Sequence, residues 1–331
     1  MNELNNKEID SFFSDKKISG NVLIAQGDKV LFEKSYGMAN YELNVPNTKE
    51  SVFRIGSLTK QFTGVLILKL IEEGKITLFD TLSKFIPDYP NGEKITLKHL
   101  LHHTSGIIDY TNLDNFNMFS KTTLLPIEII KLFKNQPLEF KSGEKSSYSN
   151  SNYILLGYII EQITKTTYQE YLNNILLKPL NLLNTGIDNS NYLIPNHVSG
   201  YIIENELIKK STYCDMSIPF SAGNLYSTTK NLWKWNQALY SDNVLSQNEK
   251  ILFNKEIISF FTYFYGFGTV LEIIDNKIIK YFHGGKIDGF SSENNYYPKL
   301  QLHIIVLLNI YTDSHKILDE FESKFINPKI L

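Results

Sequence analysis

Strand-like segments stand at both ends of the chain and helical segments fill its middle, and this arrangement limits the possible folds more than any other feature. Near the start, residues 21–26 and 29–35 read as strands joined by Gly27-Asp28, a two-residue hairpin signal, so antiparallel pairing is expected there. Near the end, residues 266–274, 277–283, 291–297 and 301–309 carry the β-branched and aromatic side chains that strands favour. In between, a helix is expected from Ser57 or just before it to Glu73. There Phe62, Val65, Leu66, Leu70 and Ile71 recur at helical spacing, and Gly74 supplies a stop. Further helices are predicted over 97–103 behind a capping Thr96, over 153–163, over 168–177 before Pro179, and after Thr229. A sheet must bury one face against other elements, so the chain is expected to be α+β: an antiparallel sheet flanked by helices, built from both chain ends, with an inserted mostly helical lobe. The 331 residues are read as one domain, 1–331, with a sheet-containing lobe at about 1–56 and 222–331 and a helical lobe at about 57–221. No internal repeat or low-complexity linker interrupts it.

Charge and composition narrow the function classes. With 33 basic and 35 acidic residues the net charge is −2, which gives no electrostatic reason to expect nucleic acid or an anionic membrane. A small-molecule or peptide substrate is the expected partner. The one cysteine, Cys214, excludes an internal disulfide and reads as a buried small hydrophobe. Adjacent His102 and His103 diverge by about 100° on a helix and have no third ligand nearby in sequence, so no metal and no cofactor is expected. Their expected role is to hydrogen-bond the following Thr104-Ser105-Gly106 turn. Apolar runs fall well short of a membrane span, and the polar, mixed-charge opening lacks a signal-peptide pattern. The sequence as it stands reads as cytoplasmic, with an exported mature form equally compatible if a signal has been removed.

The chemistry-bearing residues come in three groups. Ser57-Leu58-Thr59-Lys60 places a hydroxyl and an amine on one helix face. The same spacing recurs at Ser14/Lys17, Ser142/Lys145 and Ser227/Lys230, but only Ser57 follows a glycine, Gly56, between a strand and a long apolar helix. Lysine can accept the serine proton only if its pKa is lowered, and Tyr148-Ser149-Asn150 can help. A phenol beside the lysine could exist partly as phenolate and relay a proton, while Asn150 could bind substrate or steady Lys60. The third group, His283-Gly284-Gly285, is the single His-x-Gly in the chain. Its glycines leave the strand edge open to substrate backbone, and the N–H of Lys286 could join that of Ser57 in stabilising an oxyanion. His283 could orient a substrate carboxylate or assist proton transfer.

In this order, Ser-x-x-Lys, Tyr-x-Asn and His-x-Gly resemble the serine β-lactamase and penicillin-binding superfamily. The branch is that of class C β-lactamases, D,D-peptidases, D-aminopeptidases and related esterases. Residues 53–63, 100–106, 148–158 and 221–228 also resemble family segments in family order. The resemblance implies a sheet-containing lobe, a helical lobe and an acyl-enzyme site in the cleft between them. It makes Ser57, Lys60 and Tyr148 the catalytic residues and Asn150, His283, Gly284, Gly285 and Lys286 substrate-binding ones. Histidine heads the third motif where class C β-lactamases have lysine, which tilts the expected substrate toward peptides, amides or esters. β-Lactamase activity is the alternative reading, and a catalytically silent binding or regulatory protein of the same fold is the alternative of another class. Two departures from the family pattern bear on pocket shape, Asn224 where a second glycine is common and Asp288 where proline often follows the third motif. The loops at 109–118, 187–214 and 286–291 are expected to set that shape.

Overall fold

The computed structural model describes residues 5–189, 191–241 and 243–326. Its centre is an eight-stranded antiparallel sheet. The strands are β1 (Gly20–Gln26), β2 (Lys29–Tyr36), β3 (Ile258–Phe260), β4 (Tyr263–Gly266), β5 (Thr269–Ile274), β6 (Lys277–Ile287), β7 (Phe290–Tyr297) and β8 (Leu302–Leu308), in the order β3-β4-β5-β6-β7-β8-β1-β2. The β1–β2 hairpin turns at Gly27-Asp28, and β1 pairs along its whole length with β8, from Gly20 opposite Leu308 to Gln26 opposite Leu302. The two chain ends therefore share one sheet.

Both faces of that sheet are covered. Helix α1 (Asn6–Asp15) and the C-terminal helix Ser314–Phe325 press on one face. Their Phe12, Phe13, Leu318 and Phe321 bury Val22, Ile24, Ile304 and Val306, with Phe13 and Phe321 stacked at 5.2 Å. The other face packs on the helices of the chain's middle, led by α2 (Thr59–Glu72). Among the residues of α2 only the last turn reaches solvent, and a helix buried on nearly every side belongs in the middle of a core. Trp235 stacks on its Phe62 at 4.2 Å and donates to Gln61 Oε1 at 2.6 Å, while Trp233 is half-buried.

Three segments differ from the sequence-based expectation. The run expected as one strand over 266–274 is broken by a tight turn in which Phe267 and Gly268 both have positive φ, 50° and 76°, so it becomes the β4–β5 hairpin. The helix expected over 97–103 ends at Leu101 because His103 takes a left-handed conformation, φ 56°. The helix starting at Tyr168 widens into a π turn at Asn173–Leu177.

The β4–β5 turn braces the helix that carries Lys60. A Cβ on Gly268 would lie 2.3 Å from the Lys60 carbonyl carbon, and one on Gly64 would lie 2.3 Å from the Phe267 carbonyl oxygen. Glycine at both points lets the hairpin rest directly on the backbone of α2. Gly268→Ala should therefore lose about 2–4 kcal/mol, from the positive φ and the clash together. A urea-denaturation midpoint equal to wild type would show that the contact with α2 is not tight.

Candidate active site

Ser57 lies in a 3-10 turn (Gly56–Leu58) that leads straight into α2. The turn is held from three directions. Ser292 Oγ of β7 donates to the Ile55 carbonyl at 2.9 Å, the Ile55 amide donates to Leu225 O at 2.9 Å, and the Leu225 amide donates to Thr59 Oγ1 at 3.1 Å. Gly56 has φ 51°, and a Cβ there would come within 3.0 Å of the Lys286 amide nitrogen. A Cβ on Gly285 would strike the Ile55 carbonyl at 2.1 Å. The backbone of β6 thus runs against the turn that carries Ser57, which brings the Lys286 amide beside it.

Lys60 follows one turn later and has no exposure to solvent. Its Nζ lies 2.9 Å from Ser57 Oγ, 2.7 Å from Asn150 Oδ1 and 2.8 Å from the Ala222 carbonyl. Burial lowers its pKa to about 7, with the charge of Asp109 acting weakly in the opposite direction. With its pKa near neutrality the neutral amine is accessible, and the neighbours can accommodate it. Two carbonyl oxygens take its two hydrogens, and the lone pair is left for the Ser57 hydroxyl.

Asn150 opens a helix, α3 (Asn150–Thr164), and its amide is fixed at both ends. Its oxygen accepts from Lys60, and its nitrogen donates to Asp109 Oδ2 at 2.9 Å. Asp109 is buried and was named at the sequence level only as the edge of a loop; nothing near it in sequence signals that it orients Asn150. Tyr148, two residues earlier, places its ring centroid 4.9 Å from Lys60 Nζ and lies tilted by 35° against the buried His103 ring, with centroids 4.4 Å apart. Burial raises the phenol above its usual range, with the nearby Ser57 hydroxyl pulling less strongly the other way; the Tyr148 hydroxyl itself makes no hydrogen bond among the described residues. The expected phenolate is therefore corrected: Tyr148 is a neutral phenol.

His283 also differs from expectation. The strand does not end there but runs on to Ile287. Its Nδ1 lies 2.6 Å from the Gly284 carbonyl, which can only accept, so Nδ1 carries the hydrogen and Nε2 faces the Tyr265 hydroxyl at 3.2 Å. Burial and the nearby Lys60 charge lower its pKa to about 4. A neutral imidazole with both nitrogens engaged is not built to clamp a carboxylate. What the third motif does supply is an edge: β5 pairs with β6 only as far as Phe282, while β7 pairs on to Ile287. Among the described residues the outer side of β6 is open from His283 onward.

Seven of the eight residues named from sequence, all but Lys60, line one arm of a cleft with a volume of 420 Å³. A second arm of 360 Å³ shares Ser57, Asn150 and Lys286 with the first and is walled by Tyr110, Phe116, Cys214, Ile218 and Tyr311. Asp288 lies on its rim. Cys214 is buried, as expected, and burial pushes its thiol up to about 12. The other Ser-x-x-Lys pairs lie elsewhere: Ser14 bonds Asp10, Ser142 bonds the Ser105 carbonyl, and Ser227 is fully buried against Thr185. The histidine pair has different partners from those expected. His102 sits 2.7 Å from the Lys98 carbonyl and 2.5 Å from that of Glu256, and His103 accepts from the Ser149 amide at 3.2 Å. Among the described residues no group of three or more His, Cys, Asp or Glu is arranged to hold a metal, and no helix is long and apolar enough to cross a membrane.

An antiparallel sheet backed by terminal helices, with a serine and a buried lysine at the start of the central helix, defines the β-lactamase and penicillin-binding class of fold. Residues 8–322 match the beta-lactamase family, and the chain belongs to it. It is 31% identical over 322 residues to Protein flp of Staphylococcus aureus, covering 93% of this chain and 63% of that protein, so it spans less than two thirds of that relative's length. A penicillin-binding protein from Bacillus halodurans superposes with a TM-score of 0.87 at 26% identity, over 96% of this chain and 99% of that one. A D-stereospecific amidohydrolase from Streptomyces superposes at 0.80 with 25% identity, over 93% and 94%.

The geometry predicts how Lys60 titrates. Its Cε resonance, followed by NMR in protein with labelled lysine, should move with a midpoint near 7. In Asp109→Asn the midpoint should fall further, because the anion that favours the ammonium form is gone. A midpoint above 9 in wild type would contradict the neutral-amine arrangement.

Proposed function

We propose that the chain is a serine hydrolase that acts through an acyl-enzyme on the carbonyl of a peptide, amide or ester. The observation that carries this reading is the Lys60 amine, fully buried, with two carbonyl acceptors for its hydrogens and the Ser57 hydroxyl at 2.9 Å. A neutral amine in that position takes the Ser57 proton as Oγ attacks, and the C–O bond of the acyl-enzyme forms. The negative charge on the carbonyl oxygen is met by the Ser57 and Lys286 amides. The proton then passes, by way of the neutral Tyr148 hydroxyl, to the leaving nitrogen or oxygen as its bond to carbon breaks. Water entering the same place, with its proton taken along the same route, releases the acid and restores Ser57.

Asn150, locked between Lys60 and Asp109, holds the amine in register. The tyrosine stays a phenol, so it serves as the acid and relay and not as the base. The His-Gly-Gly edge of β6 binds the substrate backbone as an added strand. The similarity to a D-stereospecific amidohydrolase and to a penicillin-binding protein supports D-amino-acid peptides, amides or esters as the substrate class. D,D-Peptidase, D-aminopeptidase and esterase activity all fall within it.

A fluorophosphonate should label Ser57, shown by peptide mapping, and Ser57→Ala should abolish the label. Labelling that maps to Ser142 or Ser227 would refute the assignment. The labelling rate should rise with pH around a midpoint near 7, since below it Lys60 is an ammonium and cannot accept the proton. A rate flat from pH 5.5 to 9 would mean that Lys60 is not the base. Tyr148→Phe should slow acylation by a factor on the order of 10²–10⁴, the range of a positioned acid–base group. A wild-type rate with both an ester and an amide would make Tyr148 a packing residue only.

A further inference from the structure

The arm of the cleft that contains Tyr148 also reaches an acidic side chain that the acyl-transfer steps do not use. Glu293 on β7 lies opposite Gly284 of β6 and is 2% exposed. Its carboxyl rests over the glycine: a Cβ on Gly284 would fall 2.6 Å from Oε1. Oε1 accepts a hydrogen bond from Ser314 Oγ at 3.3 Å. Oε2 accepts none among the described residues, although it is buried, and His315 Nδ1 stands 3.8 Å from it, beyond hydrogen-bond reach. A buried acceptor left without a donor costs stability, and a donor brought by a ligand would remove that cost. Glu293 and the half-buried His315 both line the 420 Å³ arm, with Ser57 and Tyr148.

The position of Tyr148 says which part of a substrate would enter. Tyr148 and His283 belong to this arm and not to the second one. The proton returned through Tyr148 goes to the leaving atom, so the leaving group occupies the arm with Glu293 and the acyl portion takes the arm with Tyr110 and Phe116. Gly284 lies two residues along β6 from the Lys286 amide, which is about 7 Å at the rise of a strand. A group that reaches Glu293 is therefore about five or six bonds beyond the scissile carbonyl carbon. A carboxylate there would meet a like charge, with His283 neutral beside it.

We infer that Glu293, flanked by Ser314 and His315, forms a subsite for a protonated amine carried on the leaving group of the Ser57 substrate. This rests on the acyl-enzyme reading of the site, and it narrows that reading to leaving groups with a positive charge a short chain away. Burial raises the Glu293 carboxyl and the His315 imidazole draws it back, while Glu293 in turn raises His315 in a long ion pair of 3.8 Å; a ligand ammonium adds the close donor that this pair does not supply to Oε2.

The test uses two esters of one acyl group, a 4-aminobutyl ester and the pentyl ester that replaces the ammonium by a methyl. Wild type should prefer the amine by about tenfold or more in kcat/KM, the effect of a hydrogen bond to a charged group, and the preference should collapse toward one in Glu293→Gln. A wild-type ratio near one, or the same ratio in Glu293→Gln, overturns the subsite. Calorimetry on Ser57→Ala protein separates this from the hydrolase reading. Tighter binding of the amine ester, lost in the Ser57→Ala, Glu293→Gln protein, supports the subsite even if wild type turns over neither ester, and in that case it is the hydrolase reading that fails. Equal binding of the two esters overturns the subsite. If Glu293→Gln does not fold, protection of wild-type Ser57 from fluorophosphonate by 4-aminobutanol against 1-pentanol decides, equal protection being the adverse result.

Discussion

The arrangement depends on one amine kept out of water. A lysine ammonium prefers solvent so strongly that a fully buried one must either be paired or lose its proton, and Lys60 is placed to lose it. Each element around the cleft contributes to that exclusion. Helix α2 carries the residue, the β4–β5 turn presses on its backbone through Gly268, Ala222 and Asn150 supply carbonyl oxygens, and the rings of Tyr148 and Tyr153 close over it. Asp109 adds a negative charge at one remove through Asn150, which keeps the shift from going further. A lysine that titrates near neutral pH thus follows from packing.

The same burial sets the states of the neighbouring groups. His103 and His283 are held neutral by desolvation and by the Lys60 charge, and Tyr148 is held as a phenol. His103 has no solvent exposure and its ring lies tilted against those of Tyr148 and Tyr265, at 4.4 and 4.7 Å, which holds the phenol ring in place. Beside Ser57 the cleft therefore holds one lysine that titrates near neutrality among buried rings that stay neutral.

The cleft also has a division of surface. One arm is walled largely by Tyr110, Phe116, Ile218 and Tyr311, and the other by the open edge of β6, with Glu293 beneath Gly284. The division arises because β6 outruns its partner β5 and leaves a backbone edge facing Ser57, while β7 continues beneath it and offers its side chains around the missing one of Gly284. Two glycines in a row make a strand that can be approached from the edge and reached across.

Much of this was legible in the sequence. Periodicity and the Gly27-Asp28 turn placed the terminal strands and α2, and the joint order of Ser57, Lys60, Tyr148, Asn150 and His283 marked the site, because one chain segment supplies each motif and local spacing is enough to find it. What the sequence could not decide was anything that depends on residues far apart becoming neighbours. The break at Phe267-Gly268 is invisible to a strand pattern, since its reason is the α2 backbone far earlier in the chain. The neutral states of Tyr148 and His283 come from burial by other elements, and the same side chains in water would titrate near their ordinary values. Asp109 and Glu293 look like ordinary acids in the sequence, and only pairing across the fold aims one at Asn150 and leaves the other without a donor beside the cleft. The sequence determined which chemistry-bearing residues the chain possesses; the tertiary structure decided their protonation and their partners, because both are set by the exclusion of water and by contacts no local pattern encodes.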